Sequence, residues 1–141
     1  MQAITLLQPW AWAIAHAGKR IENRTWKPPA KLVGQRIAIH AGKRVDHSAL
    51  PFLDELGLFQ NSKLPTLVVG AVEAVATLRG WVAGVADDHP QRVWAQGPFC
   101  WVFDDVVALP HPVPCSGSQR IWTLPIHVDE LVVQQLEKFA T

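Results

Sequence analysis

Hydrophobic residues fall along this chain mostly in short alternating runs, with helical periodicity in only a few places, so the pattern predicts strands joined by irregular connections. Ile4 to Leu7 reads as a first strand, ended by Gln8-Pro9, and Pro9 suits the first turn of a helix, where its missing N–H costs nothing. Trp10 to Ala17, rich in Ala and Trp, is that helix, and Gly18 is placed to end it in a left-handed conformation. Ile21 to Trp26 predicts a second strand before the Pro28-Pro29 break. Gly34 to Ala41 predicts a third, with Ile37 and Ile39 alternating with Arg36 and His40. His47 to Leu56 reads as a short helix that Gly57 stops.

The second half opens with a long apolar strand, Thr66 to Leu78, whose one acid is Glu73. Gly80 to Gly97 is weakly patterned and predicts a loop with some helix. Phe99 to Val107 predicts a strand with Phe99, Trp101 and Phe103 on one side. Pro110, Pro112 and Pro114, then Ser116-Gly117-Ser118, read as a connection to a last strand, Arg120 to Leu124. Val128 to Phe139 closes the chain as an amphipathic helix, with Leu131, Val132, Gln135, Leu136 and Phe139 in register. Five to six strands with three to four helices, no βαβ alternation, no repeat and no linker predict an α+β architecture. The expected arrangement is one domain over residues 1–141, built on a mixed, curled or barrel-like sheet rather than a doubly wound one.

Composition narrows the function classes. At 49% hydrophobic and 18% charged, the 141-residue chain is globular rather than disordered, and no apolar run reaches the roughly 18–20 residues of a membrane span. Met1 to Thr5 lacks the basic region of a secretory signal, and two cysteines, Cys100 and Cys115, make no disulfide framework, so a reducing cytoplasm is the expected setting. No C-x-x-C or H-x-x-x-H spacing suggests zinc, and no phosphate loop or serine–histidine–acid order appears, so neither metal nor cofactor is expected. The net charge of +1 conceals an asymmetry. Residues 1–48 carry eight Lys/Arg against two acids, and residues 49–141 five against ten. That basic pole fits a phosphate backbone or another anion, and equally an accidental asymmetry of a solvated surface.

Candidate chemistry concentrates in Gly18 to Trp26. Glu22 and Arg24, two apart on a strand, share a face, with Trp26 next along it, and Lys19 at the helix end lies within reach. Such a set can grip a phosphate through Lys19 or Arg24 while Glu22 accepts from a base or ribose. The same residues also fit a lysine complementing a helix C-terminus beside an ordinary surface pair. Seven tryptophans and no tyrosine suit base stacking over a charged groove, while burial in the core is the commoner fate of any one of them. Trp10 and Trp12 lie about 200° apart on a helix, so one of them is exposed or lines a cleft. Trp101 and Trp122 read as core or cleft-floor residues. His40 is either a satisfied half-buried residue or a reactive one, and Gly42 lets backbone or ligand come close while Lys43 and Arg44 extend the basic pole. Glu73 either faces solvent or is a buried acid near the cleft. Cys115, with nothing beside it to lower its pKa, reads as an inert thiol.

Ile4-Thr5-Leu6-Leu7-Gln8-Pro9-Trp10-Ala11, then Gly18-Lys19-x-x-Glu22-x-Arg24-Thr25-Trp26, then Gly34 to Ala41 ending in Ile39-His40-Ala41 resembles the activating-signal-cointegrator homology (ASCH) family of the PUA-like superfamily, in its bacterial and phage branch. Gly97 to Phe103 and Pro110 to Trp122 look like the later barrel strands of that family, so the resemblance covers most of the chain. It implies a PUA-like mixed β-barrel and a module that binds RNA, single-stranded nucleic acid or a modified nucleobase. Lys19, Glu22 and Arg24, with Trp26, would line its cleft beside the helix carrying Trp10. Gln8, His40 and the Ser116 to Gln119 loop would be companions, with Lys43 adjoining. One branch of the family hydrolyses the amide of N4-acetylcytidine with a Lys, a Thr and a Glu. Lys19 matches the lysine, but Glu22 stands where the threonine would be, and Gly80 to Gly97 offers only Asp87 and Asp88 for the third residue. Other small members are described as ribonucleases, for which Lys19, Glu22, Arg24 and His40 are the candidate acid–base groups. A hydrolase using the same cleft is therefore the alternative to binding, and a protein-interaction domain using exposed tryptophans is a third reading.

Overall fold

Six strands, three α-helices and three short 3-10 turns make up the computed structural model, which describes residues 1–139. In chain order they are β1 (Gln2–Gln8), α1 (Trp10–His16), β2 (Ile21–Arg24), β3 (Arg36–Val45), α2 (Ala49–Glu55), β4 (Ala71–Val82), β5 (Phe99–Pro114), β6 (Trp122–Thr123) and α3 (Ile126–Phe139). The sheet runs β2-β5-β4-β3-β1-β6, with β1 parallel to β3 and every other pairing antiparallel. It is the mixed, barrel-like sheet that the pattern predicts. The curl brings β2, at one end of that order, back to β1, where Arg24 Nη2 donates to the Thr5 carbonyl at 3.1 Å.

Period-2 alternation assigns the two faces of the sheet. Ile4 and Leu6, Ile37 and Ile39, Ala76 and Leu78, and Trp101 and Phe103 point inward and pack with Ala11 and Ile14 of α1. The intervening Ala3, Ala38, Val75 and Leu109 point outward and are covered by Val128, Val132 and Leu136, one stripe of α3. A third cluster joins α1 to α2 and to the 3-10 turn Arg92–Trp94, through Trp12, Leu53, Phe59 and Trp94. Gly18 takes φ +76°, the left-handed conformation expected of it, and turns the chain from α1 into β2.

Strand boundaries differ from the sequence reading in four places, β4, β5, β2 and β6. The apolar run from Thr66 enters the sheet only at Ala71, because Gly70 turns at φ +67°, and the strand then continues through Gly80 and Trp81 to Val82, where a loop is predicted. The prolines at 110, 112 and 114 do not form a connection but lie within β5, which runs on to Pro114. Pro110 and Pro112 are tolerated because residues 109–112 have no partners on β4 and Gln135 of α3 serves the backbone of His111 in their place, while Pro114 faces Ala71 at the last position of the strand. The second and last predicted strands are shorter than expected, Ile21–Arg24 and Trp122–Thr123, so Trp26 lies beyond the ladder.

Candidate functional site

Strand β2 pairs with β5 through Ile21 to Arg24, which turns Glu22 and Arg24 to the same side. Their Glu22 Oε2 and Arg24 Nε stand 3.4 Å apart. Gly18 returns the chain so that Lys19 points inward, and its side chain is 2% exposed. The ammonium donates to the Ile21 carbonyl and to Glu22 Oε1, the latter at 3.2 Å. Burial pushes the Lys19 pKa down from its ordinary value, opposed by the charge and hydrogen bond of Glu22. Lys19 is therefore an internal strut and not a free cation. Arg24 is committed too, to Thr5 and Glu22, although its buried Nε finds no hydrogen bond among the described residues.

Above this triad opens a cleft of about 370 Å³. Trp10 and Trp94 form one wall, their rings edge to face at 6.5 Å and 88°, with Phe52 packed against Trp94. Thr5 and Leu7 of β1 border it, and Glu22, Arg24 and Asp46 are among its polar groups, with Lys19, Asn23 and Gln96. The lining holds two cations, Lys19 and Arg24, and two carboxylates, Glu22 and Asp46, so its formal charge is balanced. Asn23 ties the Trp94 side to β2: its Nδ2 donates to the Trp94 carbonyl, and its Oδ1 accepts from the amides of Gln96 and Gly97. Sequence reasoning missed Trp94 and Asn23, since a weakly patterned loop carried no signal for the ring and Asn23 stood out only by its place between Glu22 and Arg24. Of the first two tryptophans, Trp10 lines the cleft and Trp12 is nearly buried against Phe59.

The other expected residues fall elsewhere. Trp26 lies against Trp101, edge to face at 4.8 Å, with the Arg120 guanidinium 4.2 Å from the centre of its ring, and it lines no cavity of this site. Gln8 is fully buried beneath α1. Its Oε1 accepts from the Trp12 amide, and its Nε2 donates to the Val68 carbonyl and to Glu73 Oε2. His40, Lys43, Ser116 and Gln119 line a second cleft, on the outer face of the sheet, which shares Thr5 with the first. There the Cys115 carbonyl can only accept, so His40 Nε2 carries the proton and Nδ1 accepts from the Thr5 hydroxyl at 3.2 Å, while Trp122 Nε1 donates to Thr5 Oγ1. Burial lowers the His40 pKa, opposed by the bond to Cys115, and a neutral ring fits that network. His40 is thus a satisfied, buried histidine, and the Cys115 thiol is pushed up by burial, away from reactivity. Among the described residues no group of three His, Cys, Asp or Glu is placed to hold a metal.

Glu73 is the buried acid of the two readings, 2% exposed, with Gln8 on one oxygen and His16 Nε2 at 3.8 Å from the other. Burial raises its pKa above the ordinary 4.5, against the opposing effect of the Gln8 hydrogen bond. A group raised in the folded state contributes stability that is fully present below the unfolded value and is lost as pH climbs through the folded one. Glu73→Gln keeps an accepting oxygen and removes the charge. Its stability is expected to rise relative to wild type between pH 4.5 and about pH 8. Thermal melts of both proteins at the two pH values check this, and a gap that stays constant or narrows would refute it.

Comparison with known proteins agrees with the fold. The family model of the ASCH domain matches residues 4–100. The crystal structure of ASCH from Zymomonas mobilis is similar with a TM-score of 0.53 at 17% identity, over 94% of this chain and 93% of that one. A serine-to-alanine mutant of the same protein gives 0.53 at 17% identity, over 94% of both chains. A tyrosine-to-phenylalanine mutant gives 0.53 at 18% identity, over 94% of this chain and 96% of that one. No curated protein matches the chain in sequence. With its family model spanning more than half of its length, the chain belongs to the ASCH domain family, a family of nucleic-acid-binding or RNA-related modules in general.

Proposed function

We propose that the cleft between Trp10, Trp94 and Glu22 binds one base of RNA or of another single strand, or a modified nucleoside, in a reducing cytoplasmic setting. One observation carries this reading: the cations beneath the cleft are paired with Glu22, and that carboxylate, more exposed than buried Lys19, faces a space walled by two indoles. A charge-balanced, aromatic cleft suits a planar ring better than a phosphate, because a ring can stack while an N–H on its edge donates to Glu22. The amino group of cytosine or adenine, or a derivative of it, is the matching chemistry.

The test is calorimetric titration with ribonucleosides, modified nucleosides and short oligonucleotides at low salt, with product analysis on every hit. Glu22→Gln is expected to weaken binding of bases that present a donor by about tenfold, the range of one hydrogen bond to a charged group. Absence of binding by all of them would sink the reading. The hydrolase alternative has one observation in its favour, a Thr5 hydroxyl held by His40 at the border of the cleft. Product accumulating beyond one equivalent would decide for it.

A further inference from the structure

The second cleft, of about 490 Å³, adjoins the first through Thr5, which lines both. Lys43 is the one Lys or Arg in its lining, which contains no Asp or Glu. The side chains of Lys43, Ser116, Ser118 and Gln119 make no hydrogen bond or ion pair with any described residue, so four polar groups border this space without internal work. That is the reverse of the first cleft, where each cation is matched by a carboxylate.

The cavity is held open and its wall is held in place. Gly42 backs onto β1 so closely that a Cβ there would stand 3.1 Å from Thr5 Cγ2. A Cβ on Gly117 would come within 2.6 Å of His40 Cε1 and 2.7 Å of Thr5 Oγ1, so only glycine lets this loop lie against the sheet. Cys115 anchors the loop on both sides: its carbonyl accepts from His40 at 2.8 Å, and its amide donates to the Gly70 carbonyl at 3.0 Å. Thr5 and His40 are positioning residues here, holding Ser116 and Ser118 beside Lys43.

We propose that this second cleft is a phosphate subsite, which takes the phosphate of a nucleotide whose base lies against the wall formed by Trp10 and Trp94. The proposal rests on the base-binding reading of the first cleft and divides the ligand by charge. Phosphate oxygens next to Glu22 and Asp46 would meet like charge, whereas a lysine, two hydroxyls and an amide across the Thr5 wall offer donors with no carboxylate among them.

The experiment compares affinities of the four ribonucleosides, their 5′- and 3′-monophosphates, and inorganic phosphate for wild type, Lys43→Ala and Lys43→Glu. Lys43 is exposed and unpartnered, so the variants keep the fold, which their melting curves verify. One monophosphate series is expected to bind about tenfold tighter than its nucleosides, the advantage of a charge-assisted contact. That advantage should fall to about onefold in Lys43→Ala and reverse in Lys43→Glu, with nucleoside affinity unchanged in both. Equal affinity of nucleosides and monophosphates in wild type, or an advantage that survives Lys43→Glu, overturns the subsite and leaves the base-binding reading standing. Inorganic phosphate binding that is lost in Lys43→Ala, with no nucleoside binding at all, upholds the anion site but overturns the link to a base. Failure of every ligand overturns both.

Discussion

Replacing Lys19 with alanine is expected to lower the melting temperature by about 10 °C. The expectation follows from where the ammonium sits: it is buried between the Ile21 carbonyl and Glu22, at the point where the chain leaves α1 and enters β2. Its removal leaves a buried carbonyl without a donor and a Glu22 balanced by Arg24 alone, and opens a void beneath Trp10, whose ring centroid lies 5.8 Å from Nζ. Breaking a buried ion pair from one side costs about 3–5 kcal/mol, and the lower end applies because Glu22 retains 13% exposure. For a chain of 141 residues each kcal/mol moves the midpoint by about 3 °C. A double-mutant cycle with Glu22→Gln separates the pair from the carbonyl, since the cost of losing Lys19 should shrink once Glu22 is uncharged. A Lys19→Ala protein as stable as wild type would show that the ammonium is not a strut.

Trp10→Ala is expected to weaken nucleoside binding by about tenfold to a hundredfold, the range that one base stack contributes. Trp10 is the better choice of the two indoles, because Trp94 is also part of the cluster that holds α2, and its loss would confuse binding with stability. Trp10→Phe keeps a stacking face and should recover most of the affinity. Titration with the nucleoside that binds wild type best reads the effect. Unchanged affinity in Trp10→Ala, alongside a loss in Glu22→Gln, would mean that the ring walls the cleft without touching the ligand.

Much of the fold was legible because alternation is a local property. Ile37 and Ile39, and Trp101 and Phe103, declare one face of a strand wherever the strand lies, and Gly18 declares a left-handed turn by lacking a Cβ. Pro110 and Pro112 of β5 misled because their tolerance depends on a helix far along the chain, whose Gln135 serves the backbone of His111. The site was legible only as a neighbourhood. Residues 18–26 did hold Glu22 and Arg24 on one face, but the period of a strand says nothing about which way a lysine just before it will turn.

The sequence by itself thus determined the α+β sheet, the ASCH resemblance, and a segment from Gly18 to Trp26 that concentrates charge near an aromatic ring. Tertiary structure decided what that charge does. The curl of the sheet carries Lys19 inside and brings Trp94 edge to face against Trp10, while Trp26 turns onto Trp101. It also sends His40 and Lys43 to the far side of Thr5, dividing one expected cleft into two. The physical reason is that a buried cation must find partners inside the fold, and Lys19 finds them in Glu22 and the Ile21 carbonyl before any ligand arrives.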